Sequence, residues 1–152
     1  MQSLPPPPTI LPPHWFFLAL LTMLVMGWLA PENAAPPWLW LSGLPLIVMG
    51  VVLAAAGSRL FSKAGTNIIP LTRSTTLVTS GVFAWTRNPM YLGMLLALGG
   101  VALLTRTWMT WPVLIAFFVL IRQQFIVKEE ALLVQTFGEA YNGYCAQVRR
   151  WL

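Results

Sequence analysis

Two groups of polar residues stand apart in this chain: Arg87, Asn88 and Tyr91 within "TRNPMYLG", and Glu129 with Glu130 at the head of the C-terminal tail. The first sets a cation, an amide and a phenol against a long apolar run, all of them strong hydrogen-bonding groups. The second is a carboxylate pair where an apolar run ends, and burying such a pair is costly without a partner. A pair solvated at a bilayer surface is one reading of Glu129 and Glu130, and carboxylates of a binding site is the other. Arg122, seven residues before Glu129, belongs on the same side of a helix two turns earlier. It is either a snorkelling arginine or a charge directed into a pocket. The single cysteine, Cys145, and single histidine, His14, exclude a disulfide framework and make a metal site on His or Cys unsupported.

The composition says where these groups must work. The chain has 152 residues, 57% hydrophobic and 9% charged, with a mean hydropathy of +0.71. Soluble domains carry about 25% charged residues, so this is a membrane protein of one domain. Its net charge of +5 does not indicate nucleic acid, because the basic residues fall between apolar runs rather than in a polar stripe. A positive-inside bias explains them.

Residues 1–14 form a proline-rich leader, expected to be extended or disordered. No lysine or arginine precedes the first apolar run, so that run is expected to be retained rather than cleaved. Within the domain 15–152, four apolar runs predict spans at about 15–30, 38–57, 89–104 and 108–127. A span needs roughly 17–25 residues, which leaves the first and third short. Pro45 predicts a kink in the second. Trp15, Trp28, Trp38, Trp40, Trp108 and Trp111 fall near the predicted ends, where an amphipathic ring prefers to sit. Gly93, Ala97 and Gly100 make a strip of small residues, suited to close helix packing or to a flat ligand.

Basic residues are concentrated in the loop 58–88 and the tail 128–152. Both segments, and both termini, are therefore expected to face the cytoplasm. They hold nearly all the polar groups, so an enzyme of this sequence would build its site from them. Turn residues Gly65, Pro70, Gly81 and Pro89 suit an ordered loop. Asn88 and Pro89 read as the cap and first residue of the third span, which leaves Arg87 and Tyr91 unexplained. In the tail, Ile126, Glu130, Leu133, Phe137, Tyr141, Tyr144 and Val148 recur at helical spacing. They predict an amphipathic helix, with Gly138 as a possible break. The expected fold is all-α and integral to the membrane, with about four transmembrane helices, an ordered cytosolic loop and this C-terminal helix.

"TTLVTSGVFAWTRNPMYLG" resembles the signature of the isoprenylcysteine carboxyl methyltransferase family, and "EEALLVQTFGEAYNGYCAQVRRW" resembles that family's C-terminal motif. Phospholipid N-methyltransferases share a looser version. The resemblance covers about residues 65–151, with both motifs in order around a helical hairpin. It implies an integral-membrane methyltransferase that uses S-adenosyl-L-methionine on the cytosolic side and takes a lipophilic, lipid-like acceptor from the bilayer. The membrane would be the cytoplasmic membrane of a bacterium or the endoplasmic reticulum of a eukaryote.

Carried over by position, the cofactor residues would be Thr75, Thr76, Leu77 and Val78 in the loop, with Phe83. Asn88, Pro89 and Tyr91 at the helix start and Glu129 and Glu130 in the tail would complete them. Arg87, Arg122 and Glu129 are the expected catalytic groups. Asn88 stands where the family has histidine, and Phe83 where it has tyrosine. Asparagine still hydrogen-bonds but cannot act as a titratable base. The position four before Glu129 is Phe125, where the eukaryotic enzymes carry an arginine for the acceptor carboxylate. With no histidine in the matched segments, an acceptor that is already ionised, such as a carboxylate, is favoured over an amine. A phospholipid amine and a non-catalytic scaffold remain the alternatives.

Overall fold

The apolar runs form helices, as their composition requires. The computed structural model describes residues 10–30, 36–65 and 75–152, and these contain helices and turns without a strand. Residues 1–9 of the leader, the stretch 31–35 and the loop residues 66–74, with Pro70 and Arg73, lie outside the described residues. Helix α1 spans Pro12–Leu29, α2 Pro37–Leu41, α3 Gly43–Lys63, α4 Pro89–Leu104 and α5 Trp111–Ile121. A π-helical turn at Arg122–Ile126 leads into α6, Val127–Phe137, and α7 follows at Glu139–Gln147.

Three stretches are long and apolar enough to cross a membrane: Pro12–Leu29, Pro37–Lys63 and Trp108–Phe137. Helix α4 has 16 residues and spans about 24 Å at 1.5 Å each, short of a roughly 30 Å hydrocarbon core. Helix α4 keeps the expected limits, 89–104, whereas the first stretch starts earlier than expected, the second extends at both ends and the fourth runs on to Phe137. Helix α1 begins inside the expected leader, at Pro12, because proline is tolerated in a first turn where no N–H is needed. The expected kink in the second span is a break at Ser42, between α2 and α3. Pro45 has no N–H for the carbonyl of Leu41 four residues back. Gly138, with φ +53°, separates α6 from α7 as the tail's glycine predicted.

Helices α3 and α4 pack through glycine. Gly43, Gly50 and Gly57 are the buried residues of α3, and seven-residue spacing puts them on one face. Gly93, Ala97 and Gly100 face them from α4. A Cβ on Gly93 would stand 2.8 Å from both the N and the Cβ of Ala54, and one on Gly100 2.6 Å from Cγ1 of Ile47. The strip therefore serves backbone-to-backbone approach, the first of its two readings. Around this pair, Met23 of α1, Leu98 of α4 and Ile121 of α5 form a fully buried core with Ile126.

The six tryptophans expected at the span ends fall into three settings. Trp28, Trp38 and Trp108 are exposed near helix ends, where a bilayer interface would receive them. Trp15 and Trp111 instead pack on the core. Trp40 lies under the Arg106 guanidinium, 5.4 Å from ring centroid to Cζ, an arrangement that attracts the cation to the ring.

Candidate active site

The loop before α4 is held by the end of the chain. The Arg87 N–H donates to the carbonyl of Arg149 at 3.0 Å. The carbonyl of Arg150 accepts from Thr86 Oγ1 at 3.2 Å and from Asn88 Nδ2 at 3.1 Å. Thr86 and Asn88 are buried, so these bonds satisfy groups that would otherwise be costly. Asn88 occupies the cap position of α4, but its side chain makes no cap hydrogen bond. The amide is spent on Arg150 instead. Pro89 opens the helix as expected.

The tail helix supplies the carboxylates. The Tyr91 hydroxyl donates to Glu129 Oε1 at 2.8 Å. Glu130 is gripped by Arg150, whose Nε lies 3.0 Å from Oε1 and whose Nη2 lies 2.5 Å from Oε2. A two-pronged arginine–carboxylate pair of this kind is among the stronger protein hydrogen-bond arrangements. The bonded carboxylate holds the Arg150 guanidinium above its ordinary value. Arg87 Nη1 donates to Cys145 Sγ at 2.5 Å and stands 3.5 Å from Glu130 Oε1. Its Nε is buried without a hydrogen-bond partner among the described residues. Tyr144 donates to the carbonyl of Phe83 at 2.6 Å, and burial pushes its phenol up to about 12, so it stays a donor at neutral pH.

These groups surround a cavity of about 510 Å³, within the size range of small-molecule sites. At one end stand Arg87, Asn88, Tyr91, Glu129 and Glu130. Leu77, Val78, Phe61 and Phe83 flank them with apolar surface, and the two phenyl rings meet edge to face at 5.0 Å. Ala54, Ala55, Met90, Met94, Leu132 and Leu133 continue the wall along α3, α4 and α6.

Of the expected site residues, Thr76, Leu77, Val78, Phe83, Arg87, Asn88, Pro89, Tyr91, Glu129 and Glu130 line this cavity together. Thr75 is exposed and outside the lining. Arg122 is also exposed and outside it. The π-turn at Arg122–Ile126 is the cause. Its i→i+5 bonding places more residues in a turn, so seven residues no longer return to the same side. That same turn sends Phe125 and Ile126 into the core, 2% and 0% exposed.

Sequence reasoning missed the α3 wall, Ala54, Ala55 and Ser58, and the helix start Leu11–Pro13, all of which line the cavity. It also missed Arg150 as the partner of Glu130. The tail's helical spacing did mark Leu133, Tyr141 and Tyr144 as one apolar face, and Tyr141 and Tyr144 are buried there against Leu77 and Leu133.

Tyr91 holds Glu129 in place from the neighbouring helix, and a hydrogen bond to a charged group contributes about 1.5–3 kcal/mol. Tyr91→Phe is therefore expected to weaken binding of a cationic ligand at Glu129 about tenfold without loss of helix. Titration beside circular dichroism checks this; unchanged affinity would separate Tyr91 from Glu129's task.

The phospholipid methyltransferase family model matches residues 38–140. The mouse protein-S-isoprenylcysteine O-methyltransferase is 33% identical over 127 residues, covering 78% of this chain and 42% of that protein. The human protein of the same name is 31% identical over 124 residues, again covering 42% of its length. The chain thus spans about two fifths of these isoprenylcysteine O-methyltransferases. An uncharacterised protein of Haemophilus influenzae is 40% identical over 63 residues, all of its length and 41% of this chain. The solved structure of a eukaryotic intramembrane Ras methyltransferase, isoprenylcysteine carboxyl methyltransferase, superimposes with a TM-score of 0.67 at 26% identity. The match covers 88% of this chain and 49% of that one.

Proposed function

The chain belongs to the phospholipid methyltransferase family, and from that premise we propose that it is an integral-membrane methyltransferase. Its donor is S-adenosylmethionine and its acceptor a lipophilic molecule bearing a carboxylate, like the isoprenylcysteine named for its relatives. The observation that carries this reading is one cavity with charged groups of both signs at one end and apolar wall along the rest.

The residues present fit the donor. Glu129 offers one carboxylate oxygen to Tyr91 and suits a cationic sulfonium or amine. Arg87, whose buried Nε has no hydrogen-bond partner among the described residues, suits the donor's carboxylate. Phe61, Phe83, Leu77 and Val78 give a flat apolar slot for an adenine ring. Bound there, the donor supplies an electrophilic methyl group. Arg87 and Glu129 then fix its two charged ends, and Tyr91 fixes Glu129. Orientation of this kind supplies roughly 7–11 kcal/mol of barrier lowering in displacement reactions. Met90, Met94, Leu132 and Leu133 exclude water and take the acceptor's chain. His14, the chain's one histidine, is not in the lining, which fits an acceptor that arrives ionised. Arg59, Lys63, Arg87, Lys128, Arg149 and Arg150 give this end of the protein a cytoplasmic address.

Calorimetric titration of the detergent-purified protein with S-adenosylhomocysteine tests the donor site. Micromolar affinity is expected, and absence of binding by a folded protein contradicts the reading. The family's description favours a second acceptor, a phospholipid amine, since Glu129 could also hold an ammonium headgroup. Methyl label recovered in phosphatidylethanolamine would establish it.

A further inference from the structure

A second hollow lies on the far face of α4 from the cavity. Met90, Tyr91 and Met94 of α4 line the cavity, whereas Leu96, Gly99 and Leu103 line a groove of about 410 Å³. Helical spacing puts these two sets on opposite faces, so the body of α4 separates groove from cavity. Gly99 is the groove's floor, where an added Cβ would meet Leu46 of α3 at 3.5 Å and Leu114 of α5 at 3.9 Å. No lining residue carries a charge. Ile115 at the rim is 60% exposed, so the groove opens sideways, toward the bilayer.

The wall from α5 is Trp111, Leu114, Ile115 and Phe118. The same spacing of three or four residues continues to Arg122, which puts a cation at one end of an apolar slot. Arg122 is exposed. The carboxylates that follow it, Glu129 and Glu130, are engaged by Tyr91 and Arg150. Arg122 lies within the membrane-spanning stretch Trp108–Phe137, where a charged group calls for a counter-charge. Trp151 packs on Phe118 with ring centroids 5.4 Å apart, one turn from Arg122. Arg149, two residues before Trp151, is also exposed. From Arg122 to Trp111 the helix rises about 16 Å, close to half of a roughly 30 Å hydrocarbon core. That is the depth of one leaflet.

We propose that this groove holds an acyl chain of one anionic phospholipid from the cytoplasmic leaflet, with Arg122 on its phosphate. The chain needs only apolar walls, and the phosphate supplies the counter-charge that Arg122 lacks. A second copy of this protein fits less well. Facing grooves would bring Arg122 against Arg122 in a chain whose net charge is already +5. The lipid fills the hollow over Gly99 and braces α3, α4 and α5 from outside, and α4 keeps it from the cavity. The proposal does not depend on the donor reading above.

The test is native mass spectrometry of the detergent-purified full chain, offered phosphatidylglycerol and phosphatidylcholine with identical acyl chains. Wild type is compared with Arg122→Gln, Lys128→Gln and Ile115→Trp, with circular dichroism to confirm the helices. Wild type is expected to retain one phosphatidylglycerol, preferred about tenfold over phosphatidylcholine, since each cation near an anionic headgroup contributes roughly fivefold. Arg122→Gln should cut that preference about fivefold. Lys128, whose amine bonds Gln124 at 3.0 Å, is a cation of the same side without the groove, so Lys128→Gln should leave the preference unchanged. Ile115→Trp, which fills the slot from its exposed rim, should lose the retained lipid. Equal retention of the two lipids by wild type would reduce the groove to apolar filling and overturn the proposal. Equal losses in Arg122→Gln and Lys128→Gln would show diffuse surface attraction and overturn it as well. So would a retained lipid in Ile115→Trp, or a lipid-free wild-type dimer.

Discussion

Glu129→Gln is expected to weaken S-adenosylhomocysteine binding by about 100-fold or more, with the apo protein at least as stable as wild type. The two halves of this expectation share one cause. Glu129 sits beside Glu130 in the first turn of α6, and its hydrogen bond runs to Tyr91 at 2.8 Å. Replacing the carboxylate by an amide removes a repulsion with Glu130, and the amide oxygen still accepts from Tyr91. The fold therefore loses nothing. A bound cation, by contrast, loses its counter-charge in a sheltered cavity. Losing one partner of a buried charge pair costs about 2–5 kcal/mol, which is roughly 30-fold to several thousand-fold in affinity. A variant that keeps wild-type affinity moves the cationic subsite elsewhere.

Gly93→Ala and Gly99→Ala should have opposite effects although they are the same change six residues apart on one helix. A Cβ on Gly93 overlaps the backbone of α3, with Ala54 N at 2.8 Å. Backbone cannot turn aside, so the helices must separate and the adjoining cavity wall at Ala54 and Ala55 moves with them. Overpacking costs about 1–3 kcal/mol, and the gain from alanine's helix propensity, about 0.8–1.0 kcal/mol, offsets only part of the upper figure. On Gly99 the added methyl meets Leu46 Cδ2 at 3.5 Å and Leu114 Cδ2 at 3.9 Å, ordinary contacts. Thermal unfolding in detergent should place Gly93→Ala several degrees below wild type and Gly99→Ala level with it or above. Equal behaviour would mean that α3 and α4 do not meet through their glycines.

Local features of the chain were legible in the sequence, and tertiary ones were not. Apolar runs announce helices, and Pro89 announces the start of α4, because both follow from the backbone's own requirements. Most of the cavity's polar end was legible too. Arg87, Asn88 and Tyr91 lie within one short stretch, and Glu129 sits in a second that resembles a known motif.

Asn88 shows the limit of local rules. Its type and place suit a cap, yet its amide goes to the carbonyl of Arg150, a partner known once the chain's end is seen folded back. Arg122 shows another limit. Its predicted direction assumed an unbroken α-helix, and the π-turn at Arg122–Ile126 leaves no composition signal. The glycines of α3 carried a seven-residue spacing in plain view, but spacing gains meaning from the facing strip on α4. At Leu11–Pro13 the prolines suit an extended leader, and a first helical turn accepts prolines equally well.

The most direct test of the central claim is transfer of radiolabelled methyl from S-adenosylmethionine by the purified protein in lipid bicelles. A prenylated cysteine analogue and phosphatidylethanolamine would be offered together. Label in the prenylated acid as a base-labile methyl ester is the predicted result. No label in any lipophilic acceptor, from protein shown to bind S-adenosylhomocysteine, would contradict methyl transfer as this protein's function.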